Sequence, residues 1–223
     1  MVKIIESSPH AFDAYNQLAY ILWEGKQTKE AMDLLKEGFS KAKDLFPRGF
    51  VLGASKLPWG VLENRPFLRM YASLGVRYHD FGDFMAAKKI FEDIVEMNPD
   101  DNQGIREILC SCYFALGDNK SVLKLCKKYE DDAMPAIMFG RVLVLFMLGR
   151  LDEARRALLE AAKYGANVAM EIMEKKHKVV TTNEPGYTVS GSPYEAHLYW
   201  LEFGRYWKET PGAIEFVRRE ARR

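Results

Sequence analysis

The sequence predicts an all-α chain, a right-handed solenoid of helical hairpins closed by C-terminal capping helices. Three observations carry that expectation. Apolar residues recur at helical spacing, and alternating β-branched runs are nearly absent. Glycine breaks recur inside successive helix pairs, at Gly25, Gly82, Gly117 and Gly149. The stretch Phe67–Pro99 holds Tyr71, Leu74, Gly75, Tyr78, Gly82, Phe84, Ala87 and Phe91 in the order a packed hairpin needs. Such a unit cannot bury its apolar face alone, so it predicts stacked neighbours.

The hairpins follow in order. Ala11–Trp23 and Lys29–Phe46 pair across Gly25, with Tyr15, Leu18, Ala19, Leu22, Ala31 and Leu35 at the contact positions. Pro47 stops the second helix. Residues 48–66 then carry Gly49, Gly53, Pro58, Gly60 and Pro66, too many breakers for a regular helix. A loop of this length inside a compact domain is uncommon and often functional. Phe50, Leu52, Leu57, Trp59 and Leu62 suggest that it lies on the helices. In the second hairpin, Gly75 and Ala87 mark a close helix crossing, and Asn98-Pro99 ends the unit.

Asn102–Leu116 with Asn119–Tyr129, and Pro135–Leu148 with Asp152–Tyr164, form two further hairpins. The last three glycine breaks are separated by roughly the mid-thirties of residues, the period of helix-hairpin repeats. After Gly165 the register fades. Ala166–Lys178 reads as a helix and Val179–Gly191 as a polar connection containing Pro185-Gly186. A helix opened by Ser192-Pro193-Tyr194-Glu195 should run to Lys208, and a last one should cover Gly212–Arg219. The expected organisation is therefore 1–165, four hairpins with an irregular insert at 48–66, and 166–223, capping helices of the same domain.

Composition excludes several classes. The 223 residues are 48% hydrophobic and 28% charged, with a formal net charge of +1, so no global field favours nucleic acid or an anionic membrane. No apolar run approaches the roughly 20 residues of a spanning helix. The segment MVKIIESSPH is too short in apolar residues for a secretory signal. An odd set of three cysteines, Cys110, Cys112 and Cys126, gives no oxidised framework, and a cytoplasmic location is expected.

Over roughly Asp13–Ala162, these positions resemble tetratricopeptide-repeat proteins, most specifically in the second and fourth hairpins. A narrower resemblance joins Asn64-Arg65-Pro66-Phe67-Leu68-Arg69, Asn98-Pro99-Asp100-Asp101-Asn102-Gln103-Gly104-Ile105-Arg106 and Thr210-Pro211-Gly212-Ala213 to bacterial repeat proteins of unassigned function. The tail from Ser190-Gly191-Ser192 to Phe216 is distantly similar to the suppression-of-tumorigenicity-seven family. These resemblances imply a non-enzymatic, tetratricopeptide-like helical protein, and with the charge and apolar pattern above the expectation is an adaptor that binds a protein or peptide, with no cofactor, nucleic acid or membrane partner.

In such repeats the first helix of each hairpin lines a concave groove. The expected lining is Asn16 and Tyr20 from the first hairpin, Arg69, Ala72, Val76 and His79 from the second, and Glu107, Ser111 and Phe114 from the third. A mixed lining of this kind suits an extended peptide or an amphipathic helix. The basic clamp that grips a terminal carboxylate is missing, because Gly104 or Ile105 and Ile108 or Leu109 occupy its later positions. In the insert, Trp59, Asn64 and Arg65 either present an arginine to an anion or hold the loop together through carbonyls.

Residues 100–103 read as helix caps, since a calcium loop needs more oxygens and a distal glutamate. Cys110 and Cys112 point about 200° apart on a helix and read as core thiols, with no metal site. Tyr199, Trp200, Phe203, Tyr206 and Trp207 make an aromatic capping helix that packs on the stack. The arginines at 218, 219, 222 and 223 read as a solvated tail. Two alternatives to the adaptor remain: a homodimer through the C-terminal helix, and an enzyme with a site between insert and groove.

Overall fold

The computed structural model describes Ile5, Ser8, residues 10–182 and residues 186–221. Most of the N-terminal segment read for a secretory signal, Pro185 of the polar connection, and Arg222 and Arg223 of the tail lie outside the described residues. The described residues form helices and connections, with no strand among them. None of these helices is long and apolar enough to cross a membrane. Contacts divide the chain into two compact units, residues 1–112 and 113–223, so position 165 lies inside the second.

In the first unit, α1 (Phe12–Glu24) packs on α2 (Thr28–Lys43), and α3 (Arg65–Asp80) packs on α4 (Phe84–Met97). Helix α3 also packs on both α1 and α2. Helix α5 (Ile105–Ala115) begins in this unit and crosses the boundary. The second unit holds α6 (Asn119–Lys128), α7 (Pro135–Met147), α8 (Leu151–Tyr164), α9 (Ala166–Met173), α10 (Pro193–Glu209) and α11 (Ala213–Glu220). Helix α9 stops at Met173, five residues before the expected Lys178.

One backbone device closes four helices. The carbonyls of Leu22, Tyr78, Tyr113 and Leu145 accept from the amides of Gln27, Asp83, Asp118 and Arg150, each at 2.9 Å. This six-residue closure needs a left-handed residue just before the donor. Gly82, Gly117 and Gly149 supply it, but in the first hairpin the left-handed residue is Lys26 (φ 62°) rather than Gly25. After two of these turns an aspartate caps the next helix. Asp83 accepts from the Ala86 amide and Asp118 from the Ser121 amide, both at 3.1 Å.

At the α3–α4 crossing, Gly75 does what its size predicts. A Cβ there would stand 2.6 Å from Cε1 of Phe91, so any larger residue separates the helices. An aromatic cluster fastens α2 and the start of the insert to α3. Phe39 stacks on Tyr71 at 4.7 Å, Phe46 meets Phe67 edge-on at 5.0 Å, and Phe50 stacks on Phe46 at 3.9 Å.

The insert closes the C-terminal end of α4. Lys56 Nζ donates to the Glu96 carbonyl, the Leu57 amide to the Met97 carbonyl at 2.8 Å, and the Trp59 amide to Asn98 Oδ1 at 3.1 Å. A helix leaves its last carbonyls without partners, and this loop provides donors for two of them. Beyond it, buried Asp101 caps α5, accepting from the amides of Ile105 (2.8 Å) and Arg106 (2.9 Å) and from the Arg106 guanidinium.

Helix α7 is apolar on nearly every side, from Ile137 and Phe139 to Val142, Leu143, Val144 and Leu145. Such a helix belongs at the centre, and α6, α8, α10 and α11 pack against it. Tyr199, Trp200, Phe203, Tyr206 and Trp207 of α10 are buried, as expected from packing on the helices beside it, while Tyr194 in its first turn is half-buried. Trp207 Nε1 donates to the Tyr199 hydroxyl at 2.8 Å. Ser192 Oγ caps α10 by accepting from the Glu195 amide, while the Glu195 carboxylate reaches back to the Gly191 amide. The tail arginines at 218 and 219 are engaged within the unit. Arg218 donates to the Met173 carbonyl at the end of α9, and Arg219 pairs with buried Glu220.

Candidate functional site: the seam between two first helices

Helices α1 and α3 are the first helices of the first two hairpins, and side chains one turn apart on each meet in steps along them. Asp13 receives two bonds from the Arg69 guanidinium, at 2.9 and 2.7 Å. One turn on, Ser73 Oγ donates to Asn16 Oδ1. At the next step the Arg77 guanidinium lies 4.2 Å from the centre of the Trp23 ring and bonds to Asp80 at 2.9 Å. Trp23 in turn meets Phe81 edge-on at 5.5 Å.

Between the lower steps the seam opens into a cavity of about 280 Å³. Asn16, Gln17, Ala19 and Tyr20 line it from α1, Ser73 and Arg77 from α3, and Leu35 from α2. Ala19 and Leu35 are buried and form an apolar floor, whereas Tyr20 is 58% exposed. Phe81 and Ile21 add exposed apolar surface at the same end of α1 and α3. Amide, hydroxyl and guanidinium groups over such a floor, with an aromatic rim, can bond a peptide backbone and bury a side chain.

The expected groove residues have several fates. Asn16 and Tyr20 line the cavity. Arg69 is held by Asp13, whose hydrogen bond keeps the guanidinium pKa above its ordinary value. Val76 is half-buried on α3, and Ala72 is buried. His79 Nε2 lies 3.2 Å from Ser111 Oγ, its ring edge-on to Phe84. Glu107 is half-buried on α5.

Ser111 and Phe114 differ from the expectation of solvent-facing lining. Ser111 is fully buried, and Phe114 stacks on Tyr206 at 5.2 Å and meets Phe203 edge-on. The aromatic face of α10 covers Phe114, which the repeat pattern alone does not anticipate.

The insert residues turn inward. Arg65 Nε donates to the Trp59 carbonyl at 2.8 Å, and Asn64 Nδ2 to the Pro58 carbonyl at 3.0 Å. The guanidinium groups of Arg65 and Arg69 lie 5.1 and 5.9 Å from the Trp59 ring centre.

Sequence reasoning missed Gln17, Ser73, Arg77 and Trp23. The signal was present: Arg69, Ser73 and Arg77 recur every fourth residue, as do Asn16 and Tyr20, which puts each set on one helix face. The sequence reading placed the lining of α3 one residue early, at 72 and 76.

No curated protein matches the chain. The suppression-of-tumorigenicity-seven family, to which the tail is distantly similar, is not the family of the whole-length match. That match is to a different family of proteins, and it leaves no part of the chain uncovered: over residues 1–223 the protein belongs to the family described as Transcriptional repressor TCF25.

Proposed function

We propose that the protein is a protein-interaction adaptor whose first unit docks an extended or helical segment of a partner in the α1–α3 seam. The observation that carries this reading is the cavity lined by Asn16, Gln17, Tyr20, Ser73 and Arg77. Its polar groups bond chiefly to other side chains, so a partner can replace those bonds one for one at little net cost. The apolar floor and aromatic rim supply the desolvated contact such docking needs. The hairpins are of the tetratricopeptide type in this reading, and docking, with no bond made or broken, is the whole activity. The family's description as a transcriptional repressor fits an adaptor that brings a partner to a repressive assembly, with its place of action in the nucleus.

A photo-activatable amino acid placed at Tyr20, and in a second protein at Met85, tests this. Met85 is exposed on α4. Cross-linking in nuclear extract should give a discrete product from position 20 that is lost when Asn16→Ala and Ser73→Ala are added. Equal products from position 85, or a position-20 product indifferent to those substitutions, contradicts the reading.

A further inference from the structure

The second unit holds a larger cavity, of about 290 Å³, that the seam does not involve. It opens among α6, α7 and α8, beside the turn that follows α6. Cys126, Ile137 and Ala161 form its buried floor, with Met138 and Ala157 next to them. Four carboxylates line it, Glu130, Asp131, Asp132 and Glu160, against one guanidinium, that of Arg141. Asp132 spends one oxygen on the Met134 amide at 3.0 Å, and Glu160 pairs with Lys163 at 2.7 Å. Glu130 and Asp131 are exposed and enter no ion pair among the described residues. The cavity also adjoins the C-terminal end of α6, where helix carbonyls add negative potential. Tyr164, largely exposed, offers an aromatic ring at the rim.

We propose that this cavity is a second docking site, which accepts an arginine or lysine side chain from a basic, partly apolar segment of a partner protein. The chemistry is complementary at both ends of such a side chain. Its methylene stem lies along Ile137, Ala157 and Ala161, and its cationic head meets Glu130 and Asp131, with the Tyr164 ring beside it. Cavities for small organic ligands begin near about 300 Å³, so the volume suits one long side chain with its neighbours. A negative rim in a chain of net charge +1 also makes the site selective against acidic partners. The inference stands apart from the seam: either site can fail without the other.

The test uses the whole chain, labelled for amide nitrogen–proton correlation spectra, and the blocked tripeptide leucyl-arginyl-leucine amide as probe. The same tripeptide with glutamine at its centre is the neutral control. Saturable shifts should appear at residues 126–141 and 157–164 with the arginine probe, and the glutamine probe should bind at least about fivefold more weakly. The double substitution Glu130→Gln with Asp131→Asn should weaken arginine binding to a similar extent. Both side chains are exposed, so the fold is retained. A matched control, Glu30→Gln with Asp33→Asn on α2, removes equal charge elsewhere and should change nothing. Absence of shifts at the cavity, equal binding of both probes, or equal loss in the control overturns the proposal. So do shifts that grow with protein concentration and no peptide, which would assign the cavity to a second copy of the chain.

Discussion

Two regions of the first unit carry similar side chains and use them differently. In the insert, Arg65, Asn64 and Lys56 donate to main-chain carbonyls at Trp59, Pro58 and Glu96. Along α1 and α3, Asn16, Ser73, Arg77 and Asp80 bond to one another's side chains around a cavity. A carbonyl left without its donor is a lasting cost to the fold, whereas a side-chain pair can separate and re-pair with a visitor. An irregular, breaker-rich loop attracts functional suspicion in a sequence. Here its polar groups are committed to the loop's own carbonyls and to a helix end, and the regular helices beside it carry the side-chain pairs.

This contrast predicts that insert substitutions cost stability while seam substitutions spare it. The largest effect belongs to Gly53→Ala. Gly53 has φ 79°, and a Cβ there would overlap Oδ1 of Asp93, a buried carboxylate bonded to the Tyr71 hydroxyl at 3.0 Å. Left-handed strain and the displaced carboxylate together should remove about 2–4 kcal/mol, read as a lower urea midpoint. Arg65→Ala should come next, at about 1–2 kcal/mol, because it strips the donor from the Trp59 carbonyl. The pair Asn16→Ala with Ser73→Ala should cost under about 1 kcal/mol, since both groups are half-exposed and water replaces the bond. If that pair destabilises as much as Gly53→Ala, the seam is structural and the contrast collapses.

The Tyr71–Asp93 bond between α3 and α4, against which Gly53 of the insert lies, has a pH signature as well. Burial first, and then the Asp93 charge, push the Tyr71 hydroxyl pKa well above its ordinary value. An unfolded tyrosine ionises near about pH 10, so the contribution is whole below that pH and falls as pH rises beyond it. Urea midpoints measured between pH 8 and 11 should therefore decline at the alkaline end, and Tyr71→Phe should flatten that decline. A smaller effect of opposite sign is expected at Lys26→Gly. Relieving a left-handed lysine should stabilise the first hairpin by up to about 1 kcal/mol, less the entropy a glycine adds to the unfolded chain.

Much of the helix order was legible in the sequence because its signals are local. The glycine breaks and the Ser192 cap act within a few residues of themselves, and the crossing on the neighbouring helix is marked by the small size of Gly75. Three things were less legible, each for a physical reason. Lys26 takes a conformation that favours glycine, because the closing bond to Leu22 dictates the backbone whatever residue stands there. The burial of Phe114 depends on α10, nearly a hundred residues later in the chain. The lining of the seam required the register of α1 against α3, which no local pattern states. Of the candidate site, Asn16 and Tyr20 were found by repeat position, and Ser73 and Arg77 by the structure alone.

The most direct measurement is a binding titration of the partner segment recovered by cross-linking at position 20. Three proteins are compared: the unaltered chain, a seam variant (Tyr20→Ala with Arg77→Gln) and an insert variant (Asn64→Ala), each first checked for unchanged helix content. The account predicts at least about a tenfold loss of affinity in the seam variant and less than about a twofold change in the insert variant. The reverse order, with affinity following the insert and indifferent to the seam, would contradict it.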